Sequence, residues 1–245
     1  DKTLYGRRIG RKLGKKKFFN NEIFPTVELK LEDTHNLSEI FKSNFKEIWL
    51  EVGFGSGEHL KWQLKKNKDI AVIGCEPYLN GIANLLAILD EDELKRVRIF
   101  NGDAIKVINN LKDQSISKVF VLFPDPWPKK KHYKRRLIQI NFIENIYRIL
   151  KENGELRLST DHNNYLCWIL NKFLKFNKFH WNANSRLDFL DKPEKSVKTK
   201  YELRANKLGN HVFFYNITNL RRIIDFKFIL VYNIKYILYD DDIIS

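Results

Sequence analysis

Four short apolar segments, each of strand length and most unbroken by polar residues, constrain this chain more than any other feature. They are Glu47–Val52 (EIWLEV), Asp69–Cys75 (DIAVIGC), Arg96–Phe100 (RVRIF) and Lys118–Phe123 (KVFVLF). Near-continuous runs of this length suit strands buried on both faces, as in a parallel sheet; only Arg96–Phe100 alternates. Between the second and third runs, Leu79–Leu89 carries Ile82, Leu85, Leu86 and Leu89 at helical spacing, which gives one apolar face. A longer helix is expected over Tyr133–Lys151, with Ile138, Phe142, Ile146 and Ile149 as its stripe and Asn153-Gly154 as its stop. Further strands are expected at Glu155–Ser159, Phe179–Asn182 and His211–Ile217. Strands alternating with helices predict an α/β fold, a doubly wound and mostly parallel seven-stranded sheet. No internal repeat and no second domain is read. The expected organisation is a basic arm at 1–20, one domain over 21–217 and an apolar C-terminal extension over 218–245.

At 245 residues and 43% hydrophobic, the chain has enough apolar content for a real core, which excludes wholesale disorder. No stretch approaches the ~20 apolar residues of a membrane-spanning helix, and no secretory signal is read at the start. Two cysteines, Cys75 and Cys167, are too few for a disulfide framework or a metal cluster; both are expected in the core of a cytoplasmic, metal-free protein. There is no Met, so the chain is read as a processed form or a piece of a longer polypeptide.

Charge is distributed unevenly. Residues 1–17 and 129–136 hold 14 of the 44 basic residues against the single acid Asp1, and the remainder is near balance at 30 bases against 29 acids. Two concentrated basic patches on a neutral body are the footprint of a polyanion ligand, with a solvated charge run as the alternative.

In open α/β sheets, ligands bind beyond the carboxyl ends of the strands. Those positions read Glu51-Val52-Gly53-Phe54-Gly55-Ser56-Gly57, then Glu76, then Asp103, then Asp125. The glycines let the backbone turn tightly against a ligand, but their spacing is not that of the dinucleotide fingerprint. Glu51 beside this loop would repel a pyrophosphate and attract an ammonium group. Glu76 suits a bidentate grip on ribose hydroxyls, and Asp103 can accept from an adenine amino group. A ligand with an ammonium, a ribose and an adenine but no phosphate is S-adenosylmethionine. The fourth strand end opens onto Phe123-Pro124-Asp125-Pro126-Trp127-Pro128 followed by Lys129, Lys130, Lys131, His132, Tyr133, Lys134, Arg135 and Arg136. Three prolines stiffen the backbone around an acid and an indole, with cations behind. That combination suits a flipped or unpaired base; a well-packed turn followed by a wet helix start is the bland alternative.

The stretch Phe123–Arg136 resembles the signature of the bacterial tRNA (guanine-N7-)-methyltransferases, which methylate guanosine 46 in the variable loop of tRNA. The resemblance extends over Tyr5-Gly6-Arg7-Arg8, the Leu50–Gly57 loop, Glu76, Asn101–Ala104, Ser159-Thr160-Asp161 with Tyr165, and Thr199-Lys200-Tyr201-Glu202-Leu203-Arg204 with Leu208-Gly209. It implies the class I S-adenosylmethionine methyltransferase fold over 21–217. It further implies cofactor contacts at Glu51, Gly53, Gly55, Gly57, Glu76, Asp103 and Asp125, with Asp125 also catalytic. Lys129, Asp161, Thr199, Lys200, Tyr201 and Glu202 would contact substrate; Arg7, Arg8 and Lys131–Arg136 would contact tRNA. Asp161 has a helix N-cap as its alternative role. The rival functional readings are a methyltransferase of another RNA and a non-catalytic RNA-binding module on the same fold. The sequence does not decide between monomer and homodimer.

Overall fold

The computed structural model describes residues 18–41, 45–176, 178–181, 190 and 197–219. It is an α/β fold whose strands hydrogen-bond in the order β3-β2-β1-β4-β5-β7-β6. Contacts divide the chain into two compact units, Asp1–Phe120 and Val121–Ser245, with the division inside β4. The arm expected at 1–20 lies outside the described residues as far as residue 17. A π-helical turn, Phe19–Ile23, then leads directly into α1 (Phe24–Val27).

The first unit continues through α2 (Leu37–Phe41), β1 (Glu47–Val52), α3 (Glu58–Lys66), β2 (Ile70–Cys75), α4 (Leu79–Leu86), α5 (Glu91–Lys95), β3 (Val97–Phe100) and α6 (Ala104–Asn110). β4 (Ile116–Leu122) closes it. β2 is buried at every position because parallel neighbours, β1 and β3, flank it. This is why its sequence is an unbroken apolar run. The register sets Val52 beside Cys75 and Cys75 beside Phe100, so the carboxyl ends of β1, β2 and β3 finish level. α4 buries Ile82, Leu85 and Leu86 as its spacing predicts but ends at Leu86 rather than Leu89. The cause is the next helix: Asp90 and Glu93 form a reciprocal capping box that starts α5 and draws the chain out of the preceding one.

In the second unit follow α7 (Ile140–Ile149), β5 (Leu150–Thr160), α8 (Asn163–Phe176), β6 (His180–Trp181), α9 (Lys200–Lys207) and β7 (Phe213–Thr218). β7 is antiparallel to both neighbours, β5 and β6, and is therefore the one reversed strand of the three. The long helix expected over Tyr133–Lys151 divides. Lys130–Arg135 forms a 3-10 turn, and Arg136 leaves it in extended conformation (ψ 133°). The side chain of Gln139 donates to the carbonyls of Tyr133 and Arg136 (3.0 and 3.1 Å) before α7 begins. Nor does Asn153-Gly154 stop that helix. The chain passes straight from Ile149 into β5, and Asn153 sits within the strand at φ +61°, a conformation Asn tolerates.

The expected boundary of the extension at 218 also shifts, because Asn219 belongs to the core. It is fully buried, and its amide nitrogen donates to the carbonyls of Leu150 and Lys151 (3.0 and 3.2 Å) and, at 3.4 Å, of Tyr147. Its backbone exchanges hydrogen bonds with Gly154 and Asn153, both at 2.9 Å. Residues 220–245 lie outside the described residues. Asn219→Ala would strand these buried carbonyls. It is expected to cost about 1–3 kcal/mol, read as a lowered midpoint in thermal or urea unfolding; an unchanged midpoint would refute the tie.

Candidate active site

Because β1, β2 and β3 finish level, the residues that follow them emerge along one edge of the first unit. Gly53, Gly55 and Gly57 all take positive φ (70°, 59° and 84°). A Cβ at Gly57 would strike Leu85 at 2.6 Å, whereas one at Gly53 would meet nothing within 4 Å; the loop is tight on one side and open at its start. The Glu76 carboxylate is fixed from both ends, with Oε2 accepting from the Gly55 amide at 2.8 Å and Oε1 from the Tyr78 amide at 2.9 Å. α4 packs so close that a Cβ at Gly81 would lie 2.2 Å from the Gly55 carbonyl oxygen.

Glu51 is 3% exposed and accepts from Nδ1 of His59 at 2.8 Å. The other ring nitrogen, Nε2, lies 3.0 Å from the Gln63 amide nitrogen, which is its donor when Nδ1 carries the ring hydrogen. His59 and Gln63 were missed in the sequence, although their four-residue spacing just after the Gly loop was the available signal. Asp103 caps α6 through Oδ1, which accepts from the Ile105 amide at 3.0 Å. Its Oδ2 is buried without a hydrogen-bond partner among the described residues. A buried acceptor left unmade costs free energy unless a ligand supplies the donor. The orphaned Asp103 oxygen, the doubly anchored Glu76 carboxylate and the open space at Gly53 together fit an adenosine-bearing cofactor. Cys75 is buried beside them. Burial, and after it the charges of Asp103 and Glu76, raises its thiol well above the usual range, so it is no nucleophile.

The second unit holds the proline-framed turn. Phe123 and Trp127 have φ of +54° and +43°, costly for bulky side chains at about 1–3 kcal/mol each, and Asp125 stands midway between them. The Phe123 amide donates to the Ser159 carbonyl at 3.0 Å, and its ring stacks on Tyr201 (6.2 Å, 25°). Trp127 meets the His132 ring edge-on at 5.7 Å and carries the Arg135 guanidinium over its face at 5.0 Å. Asp125 is exposed, yet desolvation by the surrounding protein raises its carboxyl above the ordinary carboxylate value.

Around this turn the expected substrate residues separate into two kinds. Thr199 and Glu202 are buried, and the Thr199 hydroxyl caps α9 by accepting from the Glu202 amide at 3.3 Å. Tyr201 is exposed with the Lys200 ammonium over its ring at 5.2 Å. Asp161 is half-buried and precedes α8, but the cap position falls to His162, whose carbonyl accepts from the Tyr165 and Leu166 amides at 2.9 Å. Lys129, Lys130, Lys131 and Lys134 are exposed; His132, Tyr133 and Arg135 are half-buried. Arg136 is the exception to the expected RNA-facing run. At 2% exposure it is buried among aromatic rings and is not available to a phosphate. Cys167 reverses its expectation too, being exposed rather than in the core. Arg7 and Arg8 lie outside the described residues. Among the described residues no helix is long and apolar enough to cross a membrane.

The fold and its strand-end acids define an S-adenosylmethionine-dependent methyltransferase. Residues 46–215 match a family described as "Putative methyltransferase". Curated relatives include the tRNA (guanine-N(7)-)-methyltransferase of Zymomonas mobilis, 35% identical over 87% of this chain and 93% of that one. That of Agrobacterium fabrum is 34% identical over 90% and 95%, and that of Hyphomonas neptunium is 40% identical over 66% and 74%. The chain belongs to the tRNA (guanine-N7-)-methyltransferase family.

The Gly81 contact tests the cradle. Gly81→Ala should push the Gly55 carbonyl away, break the Gly55–Glu76 bond and weaken S-adenosylmethionine binding at least tenfold in calorimetric titration. Wild-type affinity would show that the cradle is not where the cofactor binds.

Proposed function

We propose that this chain transfers the methyl group of S-adenosylmethionine to N7 of guanosine 46 in the tRNA variable loop, with Asp125 as the catalytic carboxylate. The carrying observation is an exposed acid between two strained residues, the first of them stacked on Tyr201, with exposed lysines following it in the chain. The family's curated relatives support the substrate by their names. Glu51, Gly53, Gly55, Gly57, Glu76 and Asp103 would hold the cofactor, and the sulfonium supplies an electrophilic methyl group when bound.

Guanine N7 carries a free lone pair, so no general base is required. His132 suits that economy. Desolvation, and then the charges of Arg135, Lys131 and Lys129, lowers its pKa, and it serves as a ring contact for Trp127. The chain's contribution is to orient the base and to set negative charge where the purine becomes cationic. Asp125 supplies that charge and can accept from guanine N1–H and the 2-amino group; its expected cofactor contact belongs to the same reading. Asp161 is a second carboxylate for the base. The Phe123–Tyr201 stack with Lys200 offers a surface for an unpaired purine. Thr199 and Glu202 act by setting the start of α9 that presents Tyr201. Lys129, Lys131, Lys134 and Arg135 meet phosphate, together with Arg7 and Arg8.

Incubation with unmodified tRNA and S-adenosylmethionine, followed by nucleotide mapping, should place N7-methylguanosine at position 46; methylation elsewhere, or none, would overturn the reading. Asp125→Asn keeps the shape of the side chain and removes its charge. A fall of at least 100-fold in single-turnover rate is expected, with tRNA affinity changed far less. Because the Asp125 pKa is raised, wild-type turnover should fall on acidification already above the ordinary carboxylate range, as the active ionised form is lost. The sign for stability is opposite: the ionised group is the disfavoured form in the fold, and this cost fades as pH drops through the raised pKa. The Asn variant should lack that acidic limb in a rate-against-pH profile.

A further inference from the structure

We infer that Arg136 is a positioning residue for the catalytic turn, holding the Pro126 carbonyl from within an aromatic cage. The inference rests on the reading of Asp125 as the catalytic carboxylate. The Arg136 guanidinium carbon lies 3.7 Å from the centroid of Tyr133 and 5.0 Å from those of Tyr165 and Trp168. Its Nε donates to the Pro126 carbonyl oxygen at 2.8 Å, and Nη2 donates to Oδ1 of Asn164 at 2.6 Å. The Tyr133 hydroxyl donates to the same Asn164 oxygen at 2.9 Å, so two donors fix the orientation of that amide. Nη1 is buried with no hydrogen-bond partner among the described residues.

These contacts form one line of force from α8, through Asn164 and Arg136, to the peptide between Pro126 and Trp127. That peptide lies one residue beyond Asp125 and leads into the strained Trp127. A backbone conformation of this kind persists only where the surroundings over-determine it. The Arg136 bond fixes one side of the peptide, and the His132 and Arg135 contacts fix the Trp127 ring on the other. The cage is held independently as well. The Tyr165 hydroxyl accepts from the Ile138 amide at 3.3 Å and the Trp168 indole donates to the Ile138 carbonyl at 2.7 Å, which locks the segment carrying Arg136 against α8. Only a planar guanidinium stacks between rings while donating from two different nitrogens; lysine, a point charge on a flexible stem, cannot replace it.

The test separates positioning from phosphate contact in the intact 245-residue chain. Turnover of unmodified tRNA is measured at saturating substrate and cofactor, per S-adenosylmethionine-binding site, and tRNA affinity is measured against salt concentration. Arg136→Lys should lower kcat at least tenfold and leave the salt slope as in wild type, whereas Lys131→Ala should reduce the slope. A slope reduced by about 0.7–0.9, the share of one phosphate contact, with kcat retained would make Arg136 an RNA contact and overturn the inference. Unchanged kcat would also overturn it. Should Arg136→Lys fail to fold, Asn164 carries the test, being exposed and uncharged. Asn164→Ala should lower kcat severalfold, and Asn164→Asp, which keeps an acceptor for both donors, should restore most of it; equal kcat in the two would overturn the inference. A wild-type protein that methylates no tRNA would refute the underlying reading of Asp125 instead.

Discussion

The level register of three parallel strands is the constraint on which the first unit depends. A parallel pair slipped by one residue would turn every side chain to the opposite face. With Val52, Cys75 and Phe100 in line, the residues just beyond them arrive at one edge without any long excursion of the chain. The loop after β1 can then reach the acid after β2, and the Gly55–Glu76 hydrogen bond records that reach. The Asn101 side chain ties the third strand end in by donating to the Glu76 carbonyl at 3.0 Å. Backbone pairing thus sets the positions of the acids, and the acids in turn hold the loops. Removing one acid therefore disturbs more than one contact.

The second unit meets its demand differently. Asp125 is exposed and so is not held by burial; the chain holds its neighbours instead. Pro124, Pro126 and Pro128 limit the backbone, Phe123 is pinned by the Ser159 carbonyl and the Tyr201 ring, and Trp127 by His132 and Arg135. The two left-handed residues cost free energy that a flexible loop would release by relaxing. Here it is offset by packing on both flanks, while Asp125 between them stays exposed. Its raised pKa comes from the same arrangement, since protein mass replaces part of its water.

Strand positions were legible because burial on both faces leaves an unmistakable apolar run. β1 was read residue for residue, and β2 to within one. That Glu76 falls just beyond β2 followed from topology alone. Harder to read was anything decided by side chains closing on the backbone. The helix expected from Tyr133 fails because Gln139 bonds the Tyr133 and Arg136 carbonyls, a contact that helical periodicity does not encode. Asn153-Gly154 looks like a helix stop, but its pairing partner, Asn219, lies far along the chain and in a segment that reads as an extension. His59 and Gln63 look like polar helix residues until the Glu51 carboxylate is seen beside them.

Arg136 shows most clearly how composition can mislead. In sequence it is the last of six cations in a run of eight residues, indistinguishable from the others. The chain separates them by conformation. The 3-10 turn over Lys130–Arg135 displays lysines outward, and the extended backbone at Arg136 turns its side chain inward to three rings. One charge patch therefore serves two physical ends. Lysines, compact and well hydrated, suit exposed contacts with a polyanion whose counterions they displace. Arginine, planar and more weakly hydrated, suits the interior. The residue type at each position follows from the side of the turn on which it falls, and the proline-framed acid is held from within by the same segment that carries positive charge on its outer face.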